Sequence, residues 1–167
     1  MRVLVTAASR HGSTAEIART IGRLLTDARI DSMVMAPEDV TSLEGYDAIV
    51  LGSAVYMGRW LEPATAFADQ FQEPLRRRSV WLFSSGPLGE PPKPVADPAG
   101  ITAIEASTMA IEHRMFAGRL VKGELGIGER LIVTGVRASY GDFRPWAEIT
   151  SWAQGIARTL EAARNAV

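Results

Sequence analysis

The sequence contains no cysteine, and that absence excludes more chemistry than any other feature of its composition. Disulfides, thiolate zinc sites, iron–sulfur clusters and a cysteine nucleophile are all ruled out. Histidine is scarce: His11 and His113 are the only two, so a three-histidine metal site within one chain is excluded and no metal is expected. Charge of one sign is also lacking. Lys+Arg 18 against Asp+Glu 19 gives a net charge of −1, which supplies no whole-chain field for nucleic acid, and no nucleic-acid partner is expected. No apolar run approaches the roughly 18 to 20 residues of a membrane span. Met1-Arg2 leads straight into a strand-like run with no signal-peptide core. The expectation is a cytoplasmic domain with no transmembrane segment, in which any redox chemistry rests on a bound cofactor.

What is present suffices for one core. The 167 residues are 47% hydrophobic and 22% charged, which predicts a single domain over 1–167. Short β-branched or apolar runs alternate with helical patterns. Arg2–Thr6, Ile30–Met35, Asp47–Gly52, Ser79–Ser84 and Arg114–Leu120 read as strands. Ile17, Ala18, Ile21, Leu24 and Leu25 recur at helical spacing. Glu62-Pro63 opens a second helix that runs to Arg76-Arg77-Arg78, Asp97-Pro98 opens a third over Ala99–Ile111, and Ile149–Ala163 forms the last. Five of the nine prolines fall between Gly86 and Gly100 and mark a loop. Strands alternating with helices predict an α/β fold with a doubly wound parallel sheet and helices on both faces.

In such a sheet, ligands bind beyond the carboxyl ends of the strands. The loop after the first strand reads Ser9-Arg10-His11-Gly12-Ser13-Thr14 and enters a helix directly. Three hydroxyls, a glycine and free amides at a helix N-terminus make an anion site. Ordinary N-capping is the competing reading, since serine and threonine are preferred caps. The loop has no Gly-Lys-Ser/Thr and one glycine instead of three, so neither the Walker nor the dinucleotide pattern applies. No carboxylate ends the first strand, so a phosphoacceptor receiver domain is excluded too. A monophosphate held by hydroxyls and amides remains.

Ser9-x-x-Gly12-x-Thr14 after a first strand resembles the FMN-phosphate loop of flavodoxins. The element order resembles the same family across nearly the whole chain. The resemblance implies a flavodoxin-like three-layer sandwich with a five-stranded parallel sheet in the order 2-1-3-4-5. Val50–Gly58, Phe116-Ala117-Gly118-x-Leu120 and Asp142-x-Arg144-x-Trp146 with Trp152 resemble the branch that contains menaquinone-dependent protoporphyrinogen oxidases.

FMN is the cofactor that this resemblance implies. Ser9, Arg10, His11, Gly12, Ser13 and Thr14 then surround its phosphate. Ala54, Val55, Tyr56, Met57 and Gly58 flank the ring, with Tyr56 its favoured neighbour and the Gly58 amide a candidate donor to flavin N5. Trp60 reads equally as a ring partner or as packing. Ser84, Ser85, Gly86 and Pro87 hold the pyrimidine edge, and no aromatic follows until Phe116, which leaves one ring face open. His11 reads as turned to solvent, His113 as structural or exposed, Arg76–Arg78 as a solvated helix end, and Trp81, Trp146 and Trp152 as core.

The implied function is an oxidoreductase passing electrons from a reduced donor, protoporphyrinogen-like in the resembling branch, to a quinone or other acceptor. Its catalytic group is the flavin itself. The 121–140 segment is modest in charge and short of aromatics, unlike the long basic loop of those oxidases, but leaves room for a peripheral membrane contact. The alternatives are an electron carrier that docks on redox proteins and a flavodoxin-like domain that has lost FMN. A net charge of −1 counts against the first, and Ser9, Gly12, Ser13 and Thr14 count against the second.

Overall fold

The computed structural model describes residues 1–86, 97–121 and 140–166. In chain order the elements are β1 (Arg2–Ala8), α1 (Ser13–Asp27), β2 (Asp31–Met35), β3 (Ala48–Tyr56), β4 (Arg59–Trp60), α2 (Glu62–Gln70) and α3 (Gln72–Arg76). They continue with β5 (Ser79–Ser85), α4 (Ile101–Thr108), β6 (Glu112–Phe116), β7 (Arg119–Leu120), β8 (Gly141–Asp142) and α5 (Trp146–Asn165). A single 3-10 turn, Pro37–Asp39, follows β2.

The main sheet runs β2-β1-β3-β5-β6, with every neighbouring pair parallel. Taken in chain order these strands lie 2-1-3-4-5, the flavodoxin-like arrangement. Side-chain alternation along each strand feeds two apolar layers. Val3, Val5 and Ala7 of β1 join Ile17, Ile21 and Leu25 of α1 and Ile149, Trp152 and Ile156 of α5. Leu4 and Ala8 face the other way, toward Phe67, Leu75 and Ile101 of the α2–α4 side. Both faces of the sheet are thus covered, as a parallel sheet requires. Phe83, Phe116 and Trp152 form a ring cluster with centroids 5.5 to 6.2 Å apart.

The elements depart from the sequence expectations where backbone groups are needed elsewhere. The helix expected from Glu62 to Arg78 breaks at Phe71, because Pro74 cannot donate to Gln70 and its ring crowds that carbonyl. The third helix begins at Ile101 instead of Ala99. Gly100 takes a left-handed φ of 88° at the N-cap, so the helix cannot extend back through it, and Ala99 instead lies beside Arg59 in an isolated bridge and gives its N–H to the Gly58 carbonyl at 2.8 Å. The run read as one strand from Arg114 to Leu120 divides: β6 ends at Phe116, and Arg119–Leu120 pairs antiparallel with Gly141–Asp142 as a separate small sheet. The third strand extends past Gly52 to Tyr56 and turns back into β4.

Candidate functional site

The carboxyl ends of β1, β3 and β5 lie side by side. Ala8 is level with Ser53, Ser53 with Ser84, and Ala54 with Ser85. This register gathers the three segments read from the sequence, which begin at Ser9, Ala54 and Ser84. Pro87 lies outside the described residues.

In the first segment, Gly12 takes φ 78° and ψ −18° and stands at the N-cap of α1 with no side-chain cap bond. A left-handed backbone of this kind suits glycine. The hydroxyls around it therefore do not cap the helix, and the amides of its first turn are not satisfied by a cap. Ser9 Oγ is buried and has no hydrogen-bond partner, and Thr14 is buried. Ser13 differs: its hydroxyl accepts the Arg119 amide at 3.1 Å, so it braces the helix against β7. The Arg10 guanidinium lies 4.5 Å from the centre of the Tyr56 ring, which links the first segment to the second. Arg10 and His11 are both engaged in contacts.

The second segment is a hairpin. Ala54, Val55 and Tyr56 belong to β3, with Val55 opposite Trp60 and Tyr56 opposite Arg59. Met57 and Gly58 form the turn with φ 49° and 75°. Positive φ at both central residues is the type I′ requirement, which asparagine and glycine meet more readily than methionine. The Met57 side chain is 80% exposed at the tip. Beneath it, Ser53 Oγ donates to the Ala54 carbonyl at 2.8 Å and accepts the Leu61 amide at 2.9 Å. Trp60 is packing: it is buried, and its indole N–H donates to Ser84 Oγ at 2.7 Å.

In the third segment, Ser84 and Ser85 are buried, and the Gly86 amide donates to the Phe116 carbonyl at 3.1 Å. The Ser84 hydroxyl is engaged in a bond of 2.8 Å with His113 Nε2. His113 is thus half-buried and engaged. Burial lowers its pKa below the ordinary histidine value, against the raising effect of the Glu105 and Asp97 charges.

A fourth group was not legible as a site. Arg144 is buried and grips Asp142 with two bonds, Nε to Oδ1 at 2.8 Å and Nη2 to Oδ2 at 2.6 Å. Its Nη1 reaches Glu16 Oε2 in the first turn of α1 at 2.6 Å, while Arg119 Nη1 lies 3.1 Å from Glu16 Oε1. The guanidinium sits 4.5 Å over the Trp146 ring, so Trp146 is a partly exposed stacking partner, not core. The Arg144 hydrogen bond holds both Glu16 and Asp142 below the ordinary carboxylate range. Arg78, expected in solvent, instead donates to the carbonyls of Tyr46, Pro74 and Leu43.

A model of the flavodoxin domain matches residues 4–144. The chain belongs to the flavodoxin domain family. FMN is the cofactor of flavodoxins. Among solved structures, a flavodoxin from the domain Archaea superposes with a TM-score of 0.65 at 18% identity, covering 96% of this chain and 99% of that one. A cysteine-to-serine mutant of the flavodoxin from Pseudomonas aeruginosa gives 0.66 at 12% identity, covering 96% and 99%. Rubredoxin:oxygen oxidoreductase from Desulfovibrio gigas gives 0.63 at 15% identity, with 96% of this chain matching 36% of that one. No curated protein matches the sequence.

The flavodoxin site here fits a phosphate on the chemistry of its donors. A buried hydroxyl without a partner, uncapped amides and a left-handed glycine converge at a helix start that has no carboxylate from Ser9 to Thr14. Among the described residues no cluster suits a metal ion, and no helix is long and apolar enough to cross a membrane.

Proposed function

We propose that this flavodoxin-domain protein binds FMN and works as an oxidoreductase, passing electrons from a reduced donor to a quinone or other acceptor. The observation that carries the reading is the buried, unpartnered hydroxyl of Ser9 at the open N-terminus of α1. A buried hydroxyl with no partner costs about 1–3 kcal/mol, and a phosphate oxygen removes that cost.

In this reading Ser9, the amides of Gly12 to Thr14 and the α1 dipole hold the phosphate, with Arg10 and His11 beside it. Ala54 to Gly58 and Ser84 to Pro87 flank the ring. Bound FMN supplies the electron acceptor that a cysteine-free chain lacks. The protein's part is to bind and orient. Arg10 stacked on Tyr56 ties the phosphate loop to the hairpin, and the Ala99 amide fixes the Gly58 carbonyl. The exposed Met57 presents an apolar tip beside Arg59, a surface compatible with a nonpolar acceptor such as a quinone. The sequence resemblance to the menaquinone-dependent branch points to a protoporphyrinogen-type donor.

The test of the cofactor is Ser9→Ala. FMN binding weakens about tenfold as a hydrogen bond to a charged group is lost, while the FMN-free protein is as stable as the native one or more so. Equal weakening of FMN and riboflavin binding, or loss of apoprotein stability, counts against a phosphate at Ser9. The donor and acceptor are tested by anaerobic turnover of protoporphyrinogen with a menaquinone analogue. A second reading, an electron carrier docking on redox proteins, draws support from structural neighbours that are themselves flavodoxins of matching length. Electron transfer to a redox protein without protoporphyrinogen turnover favours it.

A further inference from the structure

Three side chains from three strands, two of them buried and His113 half-buried, form a hydrogen-bonded chain at the base of the hairpin. The Trp60 indole of β4 donates to Ser84 Oγ of β5 at 2.7 Å, and Ser84 Oγ lies 2.8 Å from His113 Nε2 of β6. Ser84 is 0% exposed and Trp60 7%. Trp60 stands two residues after Gly58, so the chain anchors the returning arm of the Met57–Gly58 turn to the far edge of the sheet.

One arrangement of the protons satisfies all three groups within this chain. An indole nitrogen only donates, so it takes a lone pair of Ser84. The serine hydroxyl has one proton, which the His113 Nε2 lone pair accepts when the ring carries its own proton on Nδ1. In that arrangement the imidazole is neutral, with its proton on Nδ1. A protonated imidazole carries N–H on both nitrogens. It would aim a second donor at Ser84, take up that oxygen's remaining lone pair and turn the serine proton out of the chain. The groups facing His113 are Trp60 from β4, Ser84 from β5, Glu105 from α4 and Asp97 from the segment before α4. The two carboxylates favour the protonated form and burial opposes it more strongly, which leaves the ring able to titrate in acid.

We propose that His113 is a positioning residue for the FMN site: through Ser84 and Trp60 it holds the Met57–Gly58 turn, and that hold is weakened when the imidazole takes up a proton and the serine hydroxyl must reorient. The inference rests on the FMN reading above and deepens it. It makes FMN affinity fall in acid through a group that does not touch the cofactor.

The experiment measures FMN dissociation constants by fluorescence quenching from about pH 7.5 to about pH 5.5, the range in which histidines titrate. The proteins are native, His113→Gln and Trp60→Phe. The Trp60 indole N–H resonance is followed over the same range in FMN-free native protein. The FMN phosphate and His11 are shared by all three proteins, so the difference between profiles isolates His113. The native protein should lose at least about threefold more affinity across the range than His113→Gln, as a modest shift in one coupled group gives. Trp60→Phe should follow the flatter profile, and the indole resonance should shift with the midpoint of the native profile. Superimposable native and His113→Gln profiles, or an indole resonance that stays fixed, overturn the proposal while leaving FMN binding intact. Native protein that binds no FMN at any pH overturns the FMN reading and this proposal with it.

Discussion

Arg144→Met removes a charge that the start of α1 is built around, and its effect can be worked from the geometry. The guanidinium side chain is 4% exposed, bonded twice to Asp142 and once to Glu16, and stacked on Trp146. Breaking a fully buried ion pair costs about 3–5 kcal/mol. Here the stranded carboxylates are 35% and 42% exposed and can rehydrate, and Arg119 still faces Glu16. A loss of about 2 kcal/mol at neutral pH is expected, with Met retaining part of the contact on Trp146. For a domain of this size that lowers Tm by about 4–8 °C.

The pH dependence separates charge from packing in this variant. Glu16 and Asp142 have pKa values lowered in the folded protein, chiefly by the Arg144 hydrogen bond. The folded state therefore holds fewer protons than the unfolded chain as pH falls below the ordinary values of 4.5 and 3.8. Their contribution is fully present above those values and is lost as pH falls through the lowered ones. The stability gap between native and Arg144→Met should be largest at neutral pH and shrink in acid. Urea unfolding at about pH 7 and about pH 3.5 reads it. A gap of undiminished size in acid would show that the loss is packing over Trp146, and no gap at neutral pH would refute the reasoning altogether.

Two further substitutions test local strain. Thr6 is fully buried with an unpartnered hydroxyl in the apolar layer between Leu4 and Ala8, so Thr6→Val should stabilise the protein by about 1 kcal/mol in urea unfolding. A decrease would mean that the hydroxyl has a partner. Met57 holds φ 49° at the first position of the hairpin turn, so Met57→Asn should raise stability by about 0.5–1 kcal/mol. Unchanged or lower stability of the FMN-free protein would show that the turn carries no such strain.

The strand sequence was legible, and the segment proposed for the phosphate could be singled out, because their signals are local. Val3–Val5, Ile49–Leu51 and Val80–Phe83 are apolar runs whose order alone implies the parallel sheet, and Ser9 to Thr14 lie together in the chain. Local signals failed where partners are distant. Nothing near Arg119 shows that it pairs with Asp142, and nothing near Ala99 shows that its amide is held by Gly58. The same holds within the site. Ser84 could be placed at the end of a strand, but its side chain is turned inward by Trp60 and His113, 24 residues before it and 29 after. Arg144 belongs to a short motif with Asp142 and Trp146, whereas its bond to Glu16 spans 128 residues. Asp142-x-Arg144, two residues apart and opposite in charge, was the only nearby trace of that cluster.

The central claim is that the loop from Ser9 to Thr14 holds the phosphate of FMN. It is tested most directly by titrating the purified native protein with FMN and with riboflavin under identical conditions. One FMN per chain is expected, with riboflavin binding weaker by about tenfold or more, since riboflavin lacks the group that accepts from Ser9 and the α1 amides. Equal affinity for the two, or no uptake of either, would contradict it.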